Sequence, residues 1–308
     1  MTTIEFPFIK EELSENIQPS CHSNIFIKYF LCDKSIRPKI SFSNTLRKVL
    51  LKRYRIAKRQ FFEIKLNNKL CCVNFGDFPD FKFLAAYSNE IEVAFVSQLL
   101  TSQINTCYNF YEKYGIRIYP FPMPILFHVD QILNGWEYNT HSVKKYVANM
   151  RFNRKFRKSR TRWIKFSKKR PNLFNHQLRQ TNDFLRSTTN DVQWGVNLRG
   201  RGRDGKCYRE SEFMLMGVPL ALDYIPFYPF PFKPNEQYIL MEKPKDLLKL
   251  QDIDPRPYIA ESKRIGNKYI RPSGMLSLME SLINQSSYSL TEFGAGTGTR
   301  TQNALPST

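Results

Sequence analysis

Residue types that suit a phosphate are concentrated between positions 199 and 216. The loop "RGRGRDG" (199–205) contains three arginines and three glycines. Guanidinium groups bind phosphate oxygens in pairs, and glycines allow a backbone to approach a ligand closely. We predict a helix from about Lys206 to Met216, whose start would add unpaired N–H groups and a partial positive charge. The stretch therefore favours a phosphate-binding site at a helix start.

A glutamate follows inside this predicted helix. Arg209 and Glu212 are three residues apart and therefore share one helix face. With a rise of about 1.5 Å per residue, Glu212 lies roughly 9 Å along the axis from Lys206. Ribose hydroxyls lie about that far from a diphosphate, so Glu212 could bind the ribose while the loop binds phosphate. A simpler interpretation treats Arg209 and Glu212 as a surface ion pair and the glycines as turns, and these residues alone leave both open.

Short strands and helices alternate along the chain. The predicted strands are 24–31, 69–76, 91–98, the start of 116–127, 145–150, 192–198 and 219–224. The predicted helices are 44–60, 97–115, the start of 129–138, 181–187, 206–216, 244–250 and 274–285. Such alternation is typical of parallel sheets covered by helices. We therefore expect an α/β protein with two Rossmann-like lobes and a cleft between them.

Prolines mark the expected boundary between the lobes. Three of them fall within 120–124, and such a segment stiffens a connection. We expect residues 1–140 to form the first lobe and 141–290 the second. The tail, 291–308, is rich in small and polar residues, and we expect it to be disordered.

The net charge of +20 over 308 residues is the strongest deviation in composition. Hydrophobic residues make up 42% of the chain, which is typical of folded domains rather than disorder. A positive field of this strength attracts polyanions such as nucleic acid, an anionic membrane surface or phosphorylated ligands. The charge alone does not choose among them.

The six cysteines and four histidines show neither CxxC pairs nor the spacing of metal ligands. We therefore expect reduced thiols and no metal site. The first residues, "MTTIEFPFIKEELSEN", lack the basic start and apolar core of a signal peptide. No uncharged apolar run approaches the roughly 18 residues that a membrane span needs. These features predict a cytoplasmic protein.

The run "RFNRKFRKSRTRWIKFSKKR" (151–170) holds eleven Lys or Arg and no acid, and so carries about half of the net charge. It is interpretable as a solvated helix face that contributes to phosphate binding, or as a contact with an anionic membrane or acidic acceptor. Its interleaved aromatic residues also suit base stacking in nucleic acid. No zinc finger, helix-turn-helix or RNP-type motif supports that third interpretation, which is the least favoured.

The stretch "RESEFMLMGVPLAL" (209–222) resembles the donor site of GT-B-fold glycosyltransferases, in which a glutamate, four residues, a glycine and then a proline precede a strand. A basic loop with "RG" and an arginine three residues before the glutamate make it similar to the exostosin-like branch. The matching positions are Arg199, Gly200, Arg209, Glu212, Gly217 and Pro219. The resemblance spans 145–285, is specific around 199–219, and reaches 1–140 only as strand–helix alternation.

The resemblance implies a nucleotide-sugar donor as co-substrate, without a cofactor. It also implies no catalytic metal, because arginines, lysines and helix dipoles stabilise the departing diphosphate in such enzymes. The donor-binding residues that it implies are Arg154, Arg199, Gly200, Arg201, Lys206, Arg209 and Glu212, with Glu212 on the ribose. Arg151 could contribute from the start of the basic run.

A reaction that inverts configuration needs a general base, which should come from the first lobe. Asp77 and Asp80 in "NFGDFPDF" follow a predicted strand and are the candidates, although ordinary turn formation explains aspartates there as well. His22 is a third candidate with less support. A retaining reaction needs no such base, and the sequence fits either.

The predicted function is metal-independent transfer of a sugar from a nucleoside-diphosphate sugar to a glycan or glycolipid acceptor. A peripheral contact with an anionic membrane would bring such an enzyme to glycolipids. The alternative is a non-catalytic nucleic-acid-binding protein that uses residues 151–170.

Overall fold

The structure is a computed structural model. It describes residues 4–8, 29–30, 32–33, 35–36, 39–42, 61–75, 81–86, 91–125, 128–152, 158–176, 181–199, 206–290 and 293. Two β-sheets organise this part of the chain, and helices cover them. Among these residues, no helix combines the length and apolar character that a membrane crossing requires.

The first sheet has six strands in the order β2-β1-β3-β4-β5-β6. The strands are β1 (Ile4–Phe8), β2 (Lys39–Phe42), β3 (Phe61–Leu66), β4 (Lys69–Asn74), β5 (Val93–Val96) and β6 (Arg117–Pro120). β4, β5 and β6 are parallel, whereas β3 is antiparallel to both β1 and β4. The parallel sheet expected from the sequence is therefore mixed here, because Asn67 and Asn68 adopt positive φ and join β3 to β4 as a tight antiparallel hairpin.

The helices of this first part are short. They are α1 (Phe81–Ala86), a 3₁₀ turn (Thr101–Gln103) that leads into α2 (Ile104–Tyr114), and α3 (Val129–Leu133). Gly115 ends α2 in the left-handed conformation, as the sequence predicts. Residues 29–30 are helical, so the strand predicted over 24–31 is wrong at that point, and the helix predicted over 44–60 lies outside the described residues.

The second sheet has five parallel strands in the order β11-β10-β9-β7-β8. They are β7 (Tyr146–Asn149), β8 (Phe174–Asn175), β9 (Val192–Asn197), β10 (Leu220–Leu222) and β11 (Ile239–Leu240). Numbered from β7, this is the 2-1-3-4-5 order of one class of doubly wound sheet. The strand order reverses between β7 and β9, which makes their carboxyl ends a topological switch point.

Helices cover both faces of the second sheet. They are α4 (Lys158–Lys168), α5 (Thr181–Asn190), α6 (Tyr208–Met216), α7 (Asp246–Lys249), α8 (Arg256–Ile265) and α9 (Pro272–Ile283), with a π-helical turn (Gly266–Ile270) before α9. Trp163 of α4 packs with Trp194 of β9 on one face. On the other face, a Cβ at Gly195 would lie 2.6 Å from the ring of Phe213, so the close approach of α6 to β9 requires a glycine.

The end of the chain returns to the first sheet. Arg117 of β6 donates hydrogen bonds to the carbonyls of Ile283 and Gln285, at 2.9 and 3.1 Å. Tyr288 donates to the carbonyl of Ile118 at 2.8 Å. The last residues of the expected second lobe, 141–290, therefore contact the first sheet, and the division into two lobes stays a prediction. Phe293, within the tail expected to be disordered, is buried against the ring of Tyr119.

A carboxylate from the start of the chain caps the last helix. Asp33 accepts hydrogen bonds from the backbone N–H of Ser273 at 3.1 Å and from the backbone N–H and hydroxyl of Ser35. Ser273 is the second residue of α9, so Asp33 satisfies an N–H group that the helix itself leaves unpaired. Burial raises the pKa of Asp33, but the hydrogen bonds from Ser35 and Ser273 outweigh it and hold the pKa below its usual value.

We predict that Asp33→Ala lowers the free energy of unfolding by about 1–2 kcal/mol at pH 7, the typical cost of a lost helix cap. A carboxyl whose pKa is depressed on folding stabilises the protein above its ordinary pKa of about 4, and that contribution is lost at lower pH. The difference in free energy of unfolding between Asp33→Ala and wild type should therefore be smaller when urea unfolding is measured at pH 3.5. Asp252→Ala, at an exposed position, is the matched control. Equal stability of Asp33→Ala and wild type at pH 7 contradicts the capping role.

Candidate anion site at the carboxyl edge of the second sheet

The strands of the second sheet bring basic residues together at the switch point. β7 leads into Arg151 and Phe152, and β9 leads into Arg199. Because the strands are parallel, these residues leave the same edge of the sheet, and α6 begins at that edge with Tyr208 and Arg209. In open α/β sheets, ligands bind in the crevice outside the carboxyl ends of the strands at such a point.

Aromatic rings hold the Arg209 side chain. Its guanidinium carbon lies 4.4 Å from the ring centre of Phe184 and 5.1 Å from that of Phe152. Its Nη1 donates a hydrogen bond to the Arg151 carbonyl at 3.2 Å. Burial lowers the pKa of Arg209, while the neighbouring Cys207 and Glu212 act in the opposite direction. An arginine keeps its charge under such conditions, so Arg209 is a cation held in a defined place.

A second arginine reaches the same edge from the basic helix α4. Arg160 is 7% exposed and donates to the carbonyls of Leu198 and Arg199, at 2.6 and 3.0 Å. Burial lowers the pKa of Arg160, and the charge of Arg209 adds to this effect. The charge of Arg151 in turn depresses the pKa of Arg209. Positive charges that disfavour one another are thus held close together, which suits binding of an anion with more than one charge.

Glu212 lies on the same helix as Arg209, three residues on, as the sequence predicts. It is 4% exposed, so it does not belong to a pair on the open surface, and its charge acts on Arg209. The interpretation of Arg209 and Glu212 as a simple surface ion pair is therefore wrong.

Lys206, predicted to bind phosphate, has a different environment. It is 3% exposed, and its ammonium donates to the carbonyls of Phe227 at 2.7 Å and Phe121 at 3.3 Å. The ammonium also lies 4.9 Å from the ring centre of Tyr228. Gln98, which follows β5 of the first sheet, donates to the Lys206 carbonyl at 2.7 Å. The ammonium therefore joins segments of the two sheets instead of facing an open anion site, which corrects the predicted role.

Glu210 is a buried glutamate that the sequence reasoning missed. Its carboxylate accepts hydrogen bonds from Asn197 and the Cys207 backbone N–H, both at 3.0 Å, from Tyr228 at 2.9 Å and from Tyr224. Burial and the charge of Glu210 raise the pKa of Tyr224 well above its usual value, so this hydroxyl stays protonated and donates. A glutamate at the third position of a helix is a capping-box signal, which could have identified it.

The remaining predicted site residues lie outside the described residues. They are His22, Asp77, Asp80, Arg154, Gly200 and Arg201. Their roles stay predictions. The structure does describe the flanks of two of these segments: β4 ends at Asn74, ahead of both aspartates, and Arg199 and Lys206 border the glycine-rich loop.

In the part of the chain that the structure describes, no three His, Cys, Asp or Glu side chains form a group suited to a metal ion. The triplet Asp252-Ile253-Asp254 has the D-x-D pattern, but Asp254 is exposed and accepts hydrogen bonds from Arg256 at 2.9 Å. Independence from a metal remains a prediction, which transfer assays with and without a chelator would test.

Comparisons with known proteins give a distant structural likeness. No family model matches the chain, and no curated protein matches it. One similar solved structure is the pneumococcal O-GlcNAc transferase GtfA in complex with UDP and GlcNAc. The two share 12% identity with a TM-score of 0.38, over 65% of this chain and 47% of that one. The chain thus spans about half the length of that protein, and a likeness of this quality does not define a function.

We predict that Glu210→Gln destabilises the protein by about 2–3 kcal/mol, because an amide group directs N–H donors at groups that themselves donate. Urea unfolding measures the difference. Glu112→Gln, on the exposed face of α2, should stay within about 0.5 kcal/mol of wild type. A Glu210→Gln variant as stable as Glu112→Gln would show that the buried carboxylate does not organise the start of α6.

Proposed function

We propose that this chain is a GT-B-type glycosyltransferase that transfers a sugar from a nucleoside-diphosphate sugar to a glycan or glycolipid acceptor. One observation carries the proposal. The residues that resemble the donor motif fall on α6 beside the switch point of a doubly wound sheet, with Arg209 and Glu212 on one helix next to further arginines. Local sequence and sheet topology are independent properties, and both point to the same edge.

In the proposed enzyme, the diphosphate lies against Arg209 and the arginines that leave β7 and β9, Arg151 and Arg199. Gly200, Arg201 and Arg154 extend this site as predicted from the sequence. Negative charge builds up on the diphosphate as the bond to the sugar breaks, and fixed guanidinium groups stabilise it there. Phe152 and Phe184 hold Arg209 before the donor arrives, so little reorganisation is needed.

Glu212 is proposed to accept hydrogen bonds from the ribose hydroxyls. Its carboxylate is close enough to Arg209 to act on the pKa of the guanidinium. A nucleotide bound through both residues would therefore contact α6 with its ribose and its diphosphate. This separates the two recognition tasks between two side chains, which variants can test one at a time.

The proposal includes two lobes with a cleft between them and a catalytic base from the first lobe. Gln98 follows β5 and Met123 follows β6, and both contact the region around the start of α6, through Lys206 and Ser211. The carboxyl ends of these strands therefore lie next to the candidate donor site. Asp77 and Asp80 follow the neighbouring parallel strand β4, and an inverting reaction would draw its base from them.

The basic run is less suited to nucleic acid than its sequence indicates. Trp163 is buried, and Phe152 contacts both Arg160 and Arg209. These rings are therefore used for internal packing instead of base stacking. The exposed cations of α4, among them Arg162 and Lys165, remain suited to an acidic acceptor or an anionic membrane.

The test of the function is a screen of UDP-, GDP- and ADP-sugars for donor hydrolysis, together with thermal melting in the presence of each nucleoside diphosphate. We expect hydrolysis of at least one donor, and a rise in melting temperature with the matching diphosphate. An oligonucleotide that binds tightly at physiological salt, with no diphosphate raising the melting temperature, would replace the enzyme by the nucleic-acid-binding alternative.

We predict that Glu212→Gln weakens binding of the selected nucleoside diphosphate by about tenfold or more, the value of a charged hydrogen bond pair. Binding of inorganic pyrophosphate should be unchanged or tighter, because the ribose contact is not used. Arg209→Gln should weaken both ligands. Calorimetric titration of each variant with each ligand measures the four affinities. Equal losses of pyrophosphate binding in the two variants contradict the separate roles.

A further inference from the structure

In the basic helix α4, one arginine side chain points into the protein and not into solvent. Arg160 is 7% exposed, whereas Arg162, two residues further along the same helix, is exposed. The buried arginine lies three residues before Trp163, which packs on the second sheet, and therefore on the same face of the helix. Burying a guanidinium costs several kcal/mol unless its hydrogen bonds are satisfied. A side chain needed only for packing at this place would not require a guanidinium group.

The hydrogen bonds of Arg160 converge on the end of β9. Its Nε donates to the Arg199 carbonyl at 3.0 Å and its Nη2 to the Leu198 carbonyl at 2.6 Å. The two acceptors are consecutive carbonyls, which match the planar fork of a guanidinium and not the single ammonium of a lysine. On the other side of the same residue, Asp223 accepts a hydrogen bond from the Arg199 backbone N–H. Both polar groups of the Arg199 backbone are thus held by charged side chains.

Arg160 and Arg209 contact the same aromatic ring. Its guanidinium carbon lies 5.5 Å from the ring centre of Phe152, and that of Arg209 lies 5.1 Å from the same centre. Phe152 is therefore in contact with both guanidinium groups, whose charges repel. The position of Arg209 depends in this way on a ring that Arg160 helps to hold.

We propose that Arg160 is a positioning residue for the anion site, which fixes Arg199 and Phe152 so that Arg199 and Arg209 bind one diphosphate. The inference rests on the proposed function and deepens it. In this proposal Arg160 acts through Arg199 and not on the diphosphate directly, since its Nε and Nη2 donate to backbone carbonyls. Its charge is secondary, and the planar arrangement of its two donors is the property that the site requires.

The experiment compares Arg160→Gln, Arg160→Lys and Arg162→Gln in the full chain. Arg162→Gln removes the same charge from an exposed position of the same helix, and Arg160→Lys keeps the charge but loses the fork. Calorimetry measures the binding of UDP and of inorganic pyrophosphate well below the melting temperature of each variant. Melting curves without ligand report whether each variant folds.

We expect Arg160→Gln to weaken pyrophosphate binding by about tenfold to a hundredfold, since small displacements of binding groups have effects of that size. Arg160→Lys should lie closer to Arg160→Gln than to wild type, and Arg162→Gln should bind as wild type does. If Arg160→Gln does not fold, Arg160→Lys decides. Binding to Arg160→Lys that equals wild type overturns the positioning role, and so does an equal loss in Arg162→Gln. If the wild-type protein binds neither UDP nor pyrophosphate, the proposed function fails too. Failure of the positioning role alone is therefore distinguishable from failure of the proposed function.

Discussion

The ammonium of Lys206 and the carboxylate of Glu210 are both buried where α6 begins, and hydrogen bonds satisfy each of them. A buried charge that loses its partners costs several kcal/mol. The carbonyls of Phe121 and Phe227 must therefore stay with the ammonium, and the two tyrosines after β10 with the carboxylate. Because Arg209 and Glu212 belong to the same helix, their position follows from these bonds. Lys206 and Glu210, which contact no proposed ligand, thus set the positions of Arg209 and Glu212, which are proposed to bind the nucleotide.

The second sheet was largely predictable from local patterns. β7, β9, β10 and α6 all occur at the predicted places, because each is a compact apolar run bounded by turn residues. In the first sheet, β4, β5 and β6 also occur at predicted places. β1, β2 and β3 were not predicted, and β1 pairs with β2 and β3 across long stretches of the chain. The antiparallel part of this sheet depends on the hairpin at Asn67 and Asn68, which the alternation of strands and helices does not reveal.

For the candidate site, the sequence identified residue types better than their surroundings. Arg209 and Glu212 share a helix face because helical geometry alone requires it. The resemblance implies a phosphate role for Lys206, and only the packing of the two sheets reveals the carbonyls that its ammonium binds. Arg160 was indistinguishable from the other cations of its run, since the choice of which one turns inward is made by tertiary contacts.

The arginine cluster has an energetic consequence. Arg209 lowers the pKa of Arg160, and Arg151 lowers the pKa of Arg209, so the structure holds these guanidinium groups together against repulsion. The surrounding interactions offset this repulsion. Arg160 donates hydrogen bonds to two carbonyls, Arg209 donates one to the Arg151 carbonyl, and both guanidinium groups contact the Phe152 ring. An anion with two or more charges would relieve the repulsion without moving these groups. In the proposed enzyme, part of the affinity for a diphosphate is therefore stored in the folded protein, and the ligand in turn stabilises the fold.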